Sequence, residues 1–88
     1  MSAGAIDDSL AARVIGVIAK TQHLSPDAIG IDSTFAELKF DSLDAMNILF
    51  AVETEFDVSV PDEQVPAIKS VRQMVEGIQR LLAEKTAS

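Results

Sequence analysis

Residues 37–56 read ELKFDSLDAMNILFAVETEF, and this stretch predicts a helix with two apolar faces. The helix runs from Ser42 to about Phe56, because its apolar residues recur at helical spacing. At about 100° per residue, one face has the width of an ordinary core-facing stripe. That face contains Ala45, Ile48, Leu49, Val52 and Phe56. A second stripe lies on another side of the helix from the core-facing stripe and contains Leu43, Met46 and Phe50.

The second stripe has three possible environments. A helix in a bundle of 88 residues can rarely bury both of its sides. Either the loop over residues 23–41 folds over the stripe, or Leu43, Met46 and Phe50 stay exposed as a docking surface. In an intermediate arrangement, Leu43 is partly covered and the other two are available. We expect this intermediate arrangement.

The N-terminal part predicts a helix over residues 9–22, followed by a long ordered loop over residues 23–41. One face of the helix carries Leu10, Val14, Val17 and Ile18. Its candidate N-caps are Asp7, Asp8 and Ser9. In the loop, Ser25-Pro26 can start a brief helical turn, and Thr34 with Glu37 has capping-box spacing. The side chains expected to hold the loop to the core are Ile29, Ile31, Phe35 and Leu38.

The C-terminal part predicts one short helical turn and a further long helix. Pro61 and Pro66 bracket at most one short turn. Ser70, with Gln73 three residues on, opens a helix over residues 71–84. Its stripe contains Val71, Met74, Val75, Ile78, Leu81 and Leu82. The chain is therefore expected to be all-α, a small four-helix bundle of three longer helices and one short helix. We expect a single domain over residues 1–88.

Charge and composition exclude several classes of function. The chain has 14 acidic and 7 basic side chains, a formal net charge of −7. It repels polyanions, so we expect basic protein surfaces as partners and no nucleic acid. Because there is no cysteine, disulfides, thiolate metal sites and a cysteine nucleophile are excluded. No apolar run approaches the ~20 residues of a membrane span. With no secretory signal in the first residues, we expect a cytoplasmic protein.

The start of the helix at Ser42 combines a cap with an accessible hydroxyl. Asp41 is well placed as N-cap, with Ser42 at the first helical position and Asp44 at the third. Helix N-termini favour anions through their free N–H groups and the helix dipole. A phosphate ester on Ser42 would fit there, although Asp41 and Asp44 repel it in part. The plain alternative is that Ser42 only helps to start the helix.

Residues 40–63, FDSLDAMNILFAVETEFDVSVPDE, resemble the acyl carrier proteins. The shared features are Asp-Ser-Leu at the start of the second helix, a Glu-x-Glu-Phe ending and a following Pro-Asp-Glu. The resemblance also covers the order of helices and loop along the chain. It implies that a phosphopantetheinyl transferase attaches a 4′-phosphopantetheine arm from coenzyme A to Ser42, with Asp41 as the preceding acid. The arm's thiol then carries acyl groups as thioesters, so the chain would be a carrier and not an enzyme.

The resemblance further implies a surface that meets partner enzymes. Its apolar contacts would be Leu43, Met46 and Phe50. Acids that meet basic patches on acyl-loading enzymes and synthases would be Asp44, Glu53 and Glu55. The remaining expected partner-binding residues are Lys39, Phe40 and Asn47. A carrier that visits several enzymes is expected to be a monomer.

Two pairs of residues depart from the pattern of typical fatty-acid carriers. Lys39 and Phe40 stand where those carriers have glycine and a small or apolar residue. Asn47 and Thr54 stand where glutamates are common. These differences favour a specialised acyl pathway, such as polyketide synthesis, with its own partners. We expect Lys39→Gly to improve use of the chain by general fatty-acid enzymes.

Alternative functions are a peptidyl or aryl carrier of nonribosomal synthesis and an unmodified helical protein-interaction module. A hydrolase based on Ser42 would need a histidine base, but the one histidine is His23, expected at a helix end. No Gly-x-Ser-x-Gly elbow surrounds Ser42. The acids lack the ligand spacing of a calcium-binding loop, so we expect no dedicated metal site.

Overall fold

A computed structural model describes residues 6–87, and in these residues three α-helices are joined by segments that contain two short 3-10 helices. The α-helices are α1 (Asp8–Gln22), α2 (Ser42–Phe56) and α3 (Val71–Ala87). The 3-10 helices are η1 (Pro26–Ala28) and η2 (Asp62–Ala67). The described residues contain no strand, only an isolated bridge between Thr34 and Ser70. The all-α bundle predicted from the sequence is confirmed.

Helix α1 packs against both α2 and α3 and forms the centre of the bundle. It begins one residue earlier than predicted, because Asp7 acts as N-cap and accepts hydrogen bonds from the backbone N–H groups of Ser9 and Leu10. The predicted face is buried except for Val17, which is half-buried. The small side chains of Ala11 and Ala19 are buried as well, since a helix between two neighbours buries more than one stripe.

Helix α2 has the predicted bounds and the predicted core face. Ile48, Val52 and Phe56 are buried, while Ala45 and Leu49 are half-buried against the same core. Their buried neighbours on α3 are Val71, Met74, Val75 and Ile78. Helix α3 continues to Ala87, three residues beyond the predicted end. The three α-helices therefore share one apolar core.

The loop over residues 23–41 is ordered and is tied to α3. Ile29 and Phe35 are buried, and Ile31 and Leu38 pack against the core. Backbone hydrogen bonds join it to the start of α3, from the N–H of Phe35 to the Lys69 carbonyl at 2.9 Å and from the N–H of Val71 to the Ser33 carbonyl at 3.0 Å. The loop is thus held on the α3 side of the bundle.

Two local features of this loop match their predicted spacing. Ser25 caps η1 by accepting a hydrogen bond from the N–H of Asp27. Thr34 and Glu37 form the reciprocal bonds of a capping box, each 3.0 Å long. The residues that follow Thr34 form turns and not a helix.

The segment between α2 and α3 contains more helix than the sequence predicts. Helix η2 has six residues and includes Pro66, whereas one turn between Pro61 and Pro66 was expected. Hydrogen bonds of the 3-10 type run from the N–H of Gln64 to the Pro61 carbonyl near the start of η2 and from the N–H of Ile68 to the Val65 carbonyl at its end. No side chain of η2 is fully buried, so this helix lies on the surface of the bundle.

Candidate functional site

Ser42 is the first residue of α2, and its side chain is exposed. The helix start is fixed by a capping box, in which the N–H of Asp44 donates to Asp41 Oδ1 at 2.8 Å and the N–H of Asp41 donates to Asp44 Oδ2 at 3.2 Å. Both carboxylates are thus engaged with the backbone. In the described part of the chain the Ser42 hydroxyl makes no hydrogen bond, so it is free to react.

The second stripe of α2 is exposed along its length. Leu43, Met46 and Phe50 are 68%, 64% and 72% exposed. The expectation that Leu43 is partly covered is wrong, because the loop before α2 is bonded to α3 and leaves this side of α2 open. Three large apolar side chains are therefore exposed on one side of α2, a pattern that favours a binding surface over core packing.

A groove of about 550 Å³ separates this stripe from η2. One wall consists of Leu43, Met46 and Phe50 with the exposed Asn47. The opposite wall consists of Val60, Asp62, Val65 and Pro66. This second wall was not predicted from the sequence. Its sequence signal is the three-residue spacing of Asp62 and Val65, which lie on one face of a 3-10 helix.

The acids expected to meet partners make contacts within the chain. Glu53 Oε2 accepts a hydrogen bond of 2.7 Å from the N–H of Val60, which ties the segment after α2 to the helix. Glu55 lies 3.4 Å from Arg13 of α1. The Arg13 guanidinium also lies 4.6 Å from the centre of the Phe56 ring. Glu53 therefore lies at the groove, and Glu55 lies on the side of α2 that faces α1.

The two residues before Asp41, which depart from the pattern of fatty-acid carriers, have different environments. Lys39 is exposed and has a φ of 63°, in the left-handed region that favours glycine. Phe40 is half-buried, with its ring centre 6.0 Å from that of Phe35. Its N–H also donates to the Phe35 carbonyl at 2.9 Å. Lys39 is thus available to a partner, while Phe40 mainly packs against the loop and the core.

Three exposed carboxyl groups away from the groove have lowered pKa values. The Arg72 guanidinium, 2.7 Å from Asp32, lowers the pKa of that carboxyl. Hydrogen bonds from the backbone and hydroxyl of Thr34 lower the pKa of Glu37. The Lys85 ammonium, 2.8 Å from Asp57, lowers the pKa of Asp57. The Arg72–Asp32 pair joins the start of α3 to the loop, and the Lys85–Asp57 pair joins the end of α3 to the C-cap of α2.

The described residues do not have the geometry of a hydrolase site at Ser42 or of a metal site. His23 is the exposed, left-handed C-cap of α1, as predicted, and is not hydrogen-bonded to Ser42. Within residues 6–87, no group of three or more histidine, aspartate or glutamate side chains is arranged to hold a metal ion. No helix in that range is long and apolar enough to cross a membrane.

Comparison with known proteins identifies the family. The family model described as "phosphopantetheine attachment site" matches residues 12–78. The chain is 43% identical to an acyl carrier protein of Rickettsia bellii over 81% of its own length and 84% of that protein's. The chain belongs to the acyl carrier protein family. It is therefore a carrier that holds a covalent 4′-phosphopantetheine, and not an enzyme.

Other relatives of this carrier agree with the assignment. It is 38% identical to the mitochondrial acyl carrier protein of Dictyostelium discoideum over 77% of its own length, and it spans 57% of that relative. A crystal structure of an acyl carrier protein from Thermotoga maritima superimposes with a TM-score of 0.78 at 24% identity. That match covers 89% of this carrier and 92% of the other chain. The solved structure therefore confirms the fold.

Proposed function

We propose that Ser42 is the attachment residue of this carrier and that the face beside it presents acyl groups to partner enzymes. The observation that carries this proposal is an exposed hydroxyl in the first turn of α2, next to three apolar side chains that are each at least 64% exposed. The partners would belong to fatty-acid, polyketide or related acyl biosynthesis.

The start of α2 suits a phosphopantetheine group on two grounds. An ester at Ser42 would break no hydrogen bond of the described chain, and the positive end of a helix dipole favours an anion. The capping box between Asp41 and Asp44 holds this end of the helix in place. When bound, the group supplies a thiol that carries acyl chains as thioesters.

The groove beside Ser42 supports the carrier role. Leu43 joins the attachment residue to the groove, whose other apolar residues include Met46, Phe50 and Val65. An acyl chain or a partner's apolar side chain placed in the groove would be removed from contact with water, which is favourable. The interior residues Val52 and Val71 belong instead to a closely packed core, where both are 0% exposed.

Modification at Ser42 can be tested by intact mass. The carrier is incubated with coenzyme A, magnesium and a broad-specificity phosphopantetheinyl transferase. We expect a gain of one arm in the wild type and in Ser59→Ala, which removes another exposed serine. We expect no gain in Ser42→Ala, with its helical circular-dichroism signal retained. A gain in Ser42→Ala would refute the assignment, and no gain in the wild type would favour an unmodified interaction module.

A separate measurement tests whether the cargo is an acyl or an aminoacyl group. The loaded carrier is offered to acyl-loading enzymes and to aminoacyl-loading enzymes, and thioester formation is followed by mass. We expect acyl loading. Aminoacyl loading alone would favour a peptidyl or aryl carrier of nonribosomal synthesis.

A further inference from the structure

Lys39 has a backbone conformation that is uncommon for lysine. Among residues 6–87, the residues other than glycine with a positive φ are His23, Lys39 and Asp57, at 58°, 63° and 55°. His23 and Asp57 are the C-caps of α1 and α2, and histidine and aspartate are enriched in this region. Lys39 ends the turn before α2, where glycine would adopt the same φ without the cost of a Cβ. The turn therefore explains the φ of this residue but not the choice of lysine.

The backbone that carries Lys39 is fixed on both sides. The N–H of Lys39 donates to the Ala36 carbonyl at 3.0 Å, and the N–H of Phe40 donates to the Phe35 carbonyl at 2.9 Å. On the other side, the capping box fixes the first turn of α2, which begins at Ser42. The Cα of Lys39 therefore has a fixed position relative to that of Ser42.

The Lys39 ammonium has no partner within residues 6–87. Its side chain is exposed, and in that range it makes no hydrogen bond or ion pair. The two acids nearest to Ser42, Asp41 and Asp44, accept hydrogen bonds from each other's backbone N–H groups. Lys39 is also the only basic residue within ten positions of Ser42 in the sequence. The described start of α2 therefore has an unpaired cation beside it.

A phosphate ester on Ser42 would lie within reach of this cation. Three residues span at most about 11 Å of backbone, and the four-carbon stem of lysine together with the ester can bridge that distance. A phosphodiester is an anion at neutral pH, and lysine is a common phosphate-binding residue. Because Asp41 and Asp44 repel the ester in part, a nearby cation offsets an unfavourable charge contact.

We propose that Lys39 is a positioning residue, whose ammonium pairs with the phosphodiester of the 4′-phosphopantetheine arm on Ser42. This inference rests on the proposed function. The ion pair neutralises the charge at the base of the arm and limits the directions in which the arm leaves α2. Lys39 thus assists the presentation of the acyl group at a distance from the thioester.

The test compares the apo and holo forms of the wild type, Lys39→Met, Lys39→Arg and Lys69→Met. Methionine keeps the Cβ and an unbranched side chain, so the backbone cost at residue 39 stays the same. Lys69 is an exposed lysine outside the left-handed region and gives the matched control. Each holo form is made with coenzyme A, magnesium and a broad-specificity phosphopantetheinyl transferase, and intact mass verifies that it carries one arm. The phosphorus NMR resonance of the arm and the melting temperatures are measured at low and high ionic strength.

At low ionic strength, attachment of the arm should raise the melting temperature of the wild type by about 1–4 °C more than that of Lys39→Met, as for an exposed ion pair. High ionic strength should remove this difference. The phosphorus resonance of Lys39→Met should differ from that of the wild type at low ionic strength and coincide with it at high ionic strength. Lys39→Arg restores the charge, so it should behave like the wild type, as should Lys69→Met.

Three results would overturn the inference. The first is the same phosphorus resonance and the same effect of the arm on melting in the wild type and Lys39→Met. The second is an equal effect of Lys69→Met, which would indicate a general effect of net charge. The third is slower acyl transfer by Lys39→Met with an unchanged phosphorus resonance, which would mean that Lys39 binds an acid of a partner instead. Failure of the proposed function is distinguishable, because a wild type that gains no arm by mass refutes both proposals before these comparisons are made.

Discussion

Replacing Lys39 by glycine should make the fold more stable. Lys39 has a φ of 63°, and its side chain is exposed. A residue with a Cβ in this region is destabilised by about 1–2 kcal/mol relative to glycine. Glycine also increases the entropy of the unfolded chain, which offsets roughly 0.5–1 kcal/mol of that gain. The difference predicts a stabilisation of about 0.5–1 kcal/mol, or roughly 2–8 °C in melting temperature for a domain of this size.

Two control variants separate the backbone effect from the loss of charge. Lys39→Ala also removes the ammonium group but keeps the Cβ, so it should not gain stability. Lys69→Gly makes the same substitution at an exposed residue outside the left-handed region, and it should lose about 0.5–1 kcal/mol through unfolded-state entropy. The free energies of unfolding are measured by urea and thermal melts. If Lys39→Gly is no more stable than Lys39→Ala, the left-handed backbone imposes no cost and the reasoning is wrong.

Two further predictions concern the core and an ion pair. Ile48→Ala should lower the free energy of unfolding by about 2–4 kcal/mol. Met46→Ala on the exposed face should change it by less than about 0.5 kcal/mol. Similar losses for the two variants in urea melts would mean that α2 is wrongly oriented. For Asp57, NMR titration should give a carboxyl pKa below its ordinary value of 3.8, which Lys85→Met should raise. Because the folded pKa is lowered, the stability contributed by this pair is present above about pH 3.8 and is lost as the pH falls through the folded value. An unchanged pKa in Lys85→Met would contradict the contact.

The start and end of α2 could be predicted because they depend on residues close together in the chain. The capping box joins Asp41 to Asp44, three residues away. The core face of the helix followed from the spacing of Ile48, Val52 and Phe56. Ser42 as a candidate attachment residue came from the resemblance to the acyl carrier proteins, and its exposure in the fold agrees with that interpretation.

The contacts of the α2 acids with distant parts of the chain could not be predicted in this way. Family resemblance implies that Glu55 meets a partner, and the structure adds an ion pair with Arg13, 42 residues earlier in the chain. Glu53, also expected to meet a partner, accepts a hydrogen bond from the backbone N–H of Val60, a contact that the sequence does not predict. The sequence alone does not show whether a carboxylate is hydrogen-bonded or ion-paired to a residue far away in the chain.

The sequence by itself determined the helices, their caps, the core-facing stripes and the serine at the start of α2, since each of these arises from contacts within a turn or two of helix. Only the tertiary structure decided that Leu43 is exposed, that η2 forms the second wall of the groove, and that Glu53 and Glu55 have contacts within the chain. The physical reason is that exposure and charge pairing depend on which distant segments pack together. Here the loop over residues 23–41 is bonded to α3 and leaves one side of α2 open.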